Sequence, residues 1–92
     1  MKRIIDGKVY NTETATLIAE WDNAPKRIPS DFYYEEIEVY KTKSGACFTV
    51  SRMNPYPWTL RVLTGEDILK LSEEIGEVDF VAEHFPELLV EG

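Results

Sequence analysis

Two β-rich runs carry the clearest hydrophobic pattern in the chain. Residues 32–42 and 46–52 are separated by Lys43-Ser44-Gly45, a short hairpin connection with a glycine for the left-handed position. Ile37 and Val39 alternate with Glu36, Glu38 and Tyr40. Beyond the turn, Ala46, Phe48 and Val50 alternate with Cys47, Thr49 and Ser51. The expectation is one apolar face and one wet face, as in an antiparallel sheet covered on one side.

The flanking segments extend this reading. Residues 2–5 and 8–10 surround Asp6-Gly7, a dipeptide suited to a type I′ hairpin turn. Asn11 is placed to cap a helical turn over 12–15, with Glu13 near its positive end. Residues 16–21 fit two periods: Ala15, Ile18 and Ala19 would share a helix face, whereas Leu17, Ala19 and Trp21 would share a strand face. Their β-branched and aromatic content favours the strand. Two prolines make 22–31 a loop, 53–58 is an aromatic, proline-stiffened loop, and 59–63 reads as another strand. Thr64-Gly65-Glu66-Asp67 then forms a capping-box pattern, opening a helix that buries Ile68, Leu71 and Ile75 and stops at Gly76. Asp79 is placed to cap a shorter helix with Val81, Ala82 and Phe85 inward, ended by Pro86. The expected class is α+β: an antiparallel sheet of about four to five strands followed by two C-terminal helices packed on one face. It forms a single domain over 1–92, with 1–63 mainly strands and 64–92 an acidic helical segment.

Charge changes the picture more than composition does. The net charge is −7, and residues 65–92 carry nine acidic side chains against Lys70 alone. Residues 1–29 carry five basic and four acidic groups, and 30–64 four of each. Such an acidic end repels phosphates and attracts a basic partner surface. No apolar run is long enough to cross a bilayer, so no membrane association is expected. The basic start of the chain is cut by Asp6, unlike a secretory signal. Cys47 is the single cysteine and fits a reducing compartment, so the expected location is cytoplasmic.

Reactive constellations are sparse. Cys47 and His84 are too few for a zinc site, and the acidic segment lacks calcium-loop spacing. As a nucleophile and base the same pair is weak, because a mid-strand thiol is usually a small buried hydrophobe. Glu35, Glu36 and Glu38 are close enough for acid–base work, yet they read as a solvated sheet face. The glycines are isolated and form no phosphate cradle. No cofactor, no metal and no catalytic residue is expected, and the chain does not read as an enzyme.

Two surfaces remain as partner-binding candidates. Glu66, Asp67, Glu73, Glu74, Glu77, Asp79 and Glu83, with Glu87 and Glu91, are either solvated outer faces or a decoy of carboxylates spaced like phosphates. Tyr56 and Trp58, on the stiff loop, are either a contact site or a plug over the end of the core. A rival reading makes Lys41, Lys43, Arg52 and Arg61, with Tyr34, Tyr40 and Trp58, a nucleic-acid stacking platform. Edge pairing of the hairpins would also permit a homodimer.

The opening Ile4-Ile5-Asp6-Gly7-Lys8-Val9-Tyr10-Asn11-Thr12-Glu13-Thr14-Ala15 resembles a family of small uncharacterised proteins encoded on phages, plasmids and integrative elements of Gram-positive bacteria. So do Ile18-Ala19-Glu20-Trp21, Phe32-Tyr33-Tyr34-Glu35-Glu36 and residues 39–45. The likeness covers about the first half of the chain. Where many relatives continue with a glycine-rich segment, this chain has residues 51–58 instead. The resemblance implies context and no activity: small accessory proteins of mobile elements often bind and block host machinery, including CRISPR nucleases and restriction systems. The resulting expectation is a non-catalytic inhibitor of a host defence nuclease, anti-CRISPR-like, acting by protein–protein interaction through its acidic surface. The alternative is a small nucleic-acid-binding accessory protein.

Overall fold

The computed structural model describes residues 1–22, 36–52 and 56–90. The chain opens with a hairpin of β1 (Lys2–Ile5) and β2 (Lys8–Asn11). Its turn is Asp6-Gly7, with φ of 52° and 74°, the two positive angles a type I′ turn requires. The Asn11 side chain then accepts from the Glu13 amide at 2.9 Å, and its carbonyl accepts from the Ala15 amide at 3.0 Å. The expected capped turn is present.

Four further strands form an antiparallel meander in the order β3 (Thr16–Asp22), β4 (Glu36–Lys41), β5 (Cys47–Arg52) and β6 (Thr59–Leu63). Residues 16–21 therefore adopt the strand alternative. A register shift between Leu17 and Ala19 marks a β-bulge, which lets Ile18, Ala19 and Trp21 all pack against one core cluster. Of the strand expected over 32–42, only residues 36–41 are assigned, because 32–35 lie outside the described residues, as does the 22–31 loop beyond Asp22.

The expected division into one apolar and one wet face does not hold. The turn pairs Thr42 with Ala46, and β4–β5 pairing then sets Ile37 against Ser51, Val39 against Thr49, Tyr40 against Phe48 and Glu38 against Val50. Odd positions meet odd positions. The apolar set of β4 therefore lies opposite the small, polar set of β5, and each face receives half of the hydrophobic side chains. Ile37, Val39, Cys47 and Leu63 cluster with Ile68, Leu71, Phe80, Val81 and Phe85 of the helical segment. On the other face Tyr40, Phe48, Val50 and Leu60 cluster with Tyr10 of the N-terminal hairpin. Tyr40 stacks on Phe48 at 5.2 Å between ring centres, and Tyr10 meets the same ring edge-on at 5.7 Å. Thr49 and Ser51, read from the sequence as wet, are buried.

Helix α1 (Gly65–Ile75) begins with the expected capping box. The Asp67 amide donates to the Thr64 hydroxyl at 3.1 Å, and the Thr64 amide donates to the Asp67 carboxylate at 3.0 Å. The helix ends at Gly76, whose φ of 80° is the left-handed stop. Helix α2 (Asp79–His84) departs from expectation in two details. Val78 occupies the cap position, so Asp79 lies in the first turn, and the inward residues are Phe80, Val81 and Phe85 while Ala82 is exposed. Two phenylalanines bury far more apolar area than an alanine, which sets the rotation of this short helix. A 3-10 turn, Pro86–Leu88, follows.

Two stability changes follow. Leu71→Ala removes a side chain with no exposure from the helix-side cluster and should cost about 2–5 kcal/mol in urea unfolding. Thr64→Ala should cost about 1 kcal/mol through the lost cap. The backbone bond from Thr64 and the nearby Arg61 and Lys70 hold the Asp67 carboxyl below its usual value of 3.8. Its contribution is complete above that pH and is lost as pH falls through the lower folded-state value. The stability gap between wild type and Asp67→Asn should accordingly close on acidification below 3.8, as read by denaturation at several pH values.

Candidate functional site

The acidic residues occupy different settings. On α1, Glu66 and Glu73 are exposed on the outer ridge that also carries Lys70, at helical spacings of four and three. Asp67 is committed to the capping box and lies 3.5 Å from the Arg61 guanidinium. Glu74 is half-buried. By contrast, Glu77, Asp79 and Glu83 come together with Glu20 of β3 around a groove of 280 Å³. Ile18, Ala19, Trp21 and Phe80 complete its lining, and Trp21 meets Phe80 edge-to-face at 5.6 Å. Glu20, Trp21 and Phe80 were not among the partner-binding candidates of the sequence. The one available signal was the strand reading of 16–21, which sets Ala19 and Trp21 on one face and Glu20 on the other.

The basic platform is dispersed by the same strand pairing. Lys41 faces the helices, where its ammonium donates to the His84 carbonyl at 2.7 Å and lies 4.8 Å from the Phe85 ring centre. It closes the negative C-terminal end of α2. Arg61 shares that face. Arg52 lies on the opposite face, bonded to Glu36 at 2.7 Å and stacked 4.9 Å from the Trp58 ring centre. Lys41, Arg52 and Arg61 thus do not line one surface; Lys43 is exposed in the turn, and Tyr34 lies outside the described residues. The aromatic loop divides as well: Trp58 packs against the hairpin-side cluster as a plug, whereas Tyr56 is 66% exposed. Residues 53–55 lie outside the described residues.

Among the other groups considered for chemistry, Glu36 is held by Arg52, Glu38 accepts from the Tyr40 hydroxyl at 3.0 Å, and Glu35 lies outside the described residues. Burial, together with Glu38 and Glu20, pushes the Tyr40 phenol up to about 12. The described residues contain no group of three or more His, Cys, Asp or Glu side chains placed to hold a metal ion. No helix among them is long and apolar enough to cross a membrane.

Cys47 belongs to the helix-side core, and burial pushes its thiol up to about 12 despite the opposing pull of Lys41. A thiol so rarely ionised is a poor nucleophile. Its alkylation in the native protein should therefore be slow and should accelerate in parallel with unfolding as urea is added, followed by mass spectrometry.

No protein-family model matches the chain, and comparison with curated proteins and with solved structures gives no match.

Proposed function

We propose that this protein is a non-catalytic binding module that engages a basic partner surface stoichiometrically through the groove between β3 and α2 that carries Glu77, Asp79 and Glu83. The observation that carries this reading is the gathering of Glu77, Asp79 and Glu83 around a groove that Trp21 and Phe80 help to line. One face of the four-stranded sheet is covered by a hairpin bearing Lys2, Arg3 and Lys8 against Asp6 alone. The other meets helices whose segment holds nine carboxylates and one lysine over residues 65–92. The excess of carboxylates on the helical segment orients the molecule in the field of a basic partner before contact.

The kind of partner follows from that chemistry and from the resemblance to mobile-element proteins. A nuclease presents a groove of lysine and arginine side chains to phosphates, and a rigid array of carboxylates competes for it. The function this supports is inhibition of a host defence nuclease by occupation of its nucleic-acid groove. An aromatic neighbour strengthens the case, because Trp21, half-buried and held edge-on against the buried Phe80, offers apolar area beside the carboxylates.

The test is titration of the protein into purified CRISPR and restriction nucleases free of nucleic acid, read by calorimetry and by residual cleavage. The expected result is an equimolar complex whose affinity falls steeply with salt and drops at least about tenfold in a Glu77→Gln, Asp79→Asn, Glu83→Gln variant. A complex indifferent to salt and to these three changes contradicts the acidic surface. Failure of every nuclease to bind contradicts the inhibitor role.

A further inference from the structure

We infer that the outer edge of β3 receives an extended, lysine- or arginine-rich segment of the partner, which adds as a further strand to the four-stranded sheet. This rests on the acidic-groove reading and specifies how the groove is filled.

Among the described residues β3 pairs only with β4, so it ends the sheet. Past the bulge its register is regular, with Ala19, Glu20, Trp21 and Asp22 opposite Val39, Glu38, Ile37 and Glu36. Alternate residues of this regular edge present main-chain groups turned away from β4, and such a row is a template for another strand. Folded proteins commonly protect such an edge with lysine or proline. Here the groups around it are carboxylates: Glu20 is on the strand itself, while Glu77, Asp79 and Glu83 line the adjoining groove. These disfavour pairing of two β3 edges and select a basic strand. Strand periodicity then assigns the contacts. Alternate side chains of the added segment would enter the groove beside Trp21 and Phe80, with the carboxylates of Glu77, Asp79 and Glu83 around them. The intervening ones would pass on the side of Glu20, whose partner in the register is Glu38.

The probe is a short capped peptide of alternating lysine and valine. Its two controls are the same peptide with glutamate for lysine, and a version methylated on alternate backbone nitrogens, which keeps charge but cannot pair. Binding is followed by NMR shifts and by hydrogen exchange of the β3 amides. The expected outcome is protection of amides within 19–22 by the lysine peptide. Affinity should be about tenfold lower for the methylated version and for Asp79→Asn with Glu83→Gln, and absent for the glutamate peptide. Equal binding of the methylated peptide, protection on another strand, or no binding overturns strand addition. If the methylated peptide binds equally and salt still weakens both, strand addition fails while the acidic groove stands. If the lysine peptide adds to β3 but no nuclease binds, the strand site stands and the inhibitor role fails.

Discussion

The pairing of Val39 with Thr49 across the β4–β5 turn, and not with Phe48 or Val50, is the constraint from which the rest of the architecture follows. It divides the hydrophobic side chains of β4 and β5 between the two faces of the sheet, so neither face can be left to water. Helices must cover Ile37, Val39 and Cys47, and the N-terminal hairpin must cover Tyr40, Phe48 and Val50. A chain of 92 residues has little surface to spare, and two modest clusters on a shared sheet replace one larger core. Thr49 and Ser51 suit their positions because small side chains on β5 leave volume for Leu71, Val81 and Phe85.

Covering both faces sets two differently charged elements on opposite sides of the sheet, whose own hairpin-side face carries Glu20, Glu36 and Glu38. The covering hairpin is basic and the covering helices are acidic, with the sheet between them. Several charged groups nevertheless serve the fold itself. Asp67 closes the cap of α1, Lys41 closes the end of α2, and Arg52 bridges Glu36 and Trp58. The groups that remain around an apolar lining are those between β3 and α2, which is why the functional reading concentrates there.

Much of this was legible in the residues. Asp6-Gly7, the Thr64 and Asp67 box and the Gly76 stop each act through local chemistry, and each is found where expected. The strands 16–21 and 59–63 and the α+β order were likewise readable. Alternation within each run does not assign the sheet faces without the parity of the turn. A three-residue connection between Thr42 and Ala46 pairs odd with odd, and that arithmetic was present in the sequence. The groove was less accessible, since it depends on a bulge at Leu17 and Ala19 and on the rotation of a six-residue helix. Both are set by tertiary packing. The dispersal of Lys41, Arg52 and Arg61 follows from the same parity and removes the platform their spacing suggested.

The most direct measurement is chemical footprinting of the protein with and without its bound partner, using a carboxylate-specific and an amine-specific reagent together. The account predicts that Glu77, Asp79 and Glu83 become protected while Lys2 and Lys8 of the hairpin on the opposite face stay reactive. Protection of the hairpin lysines with those three carboxylates still open would contradict it.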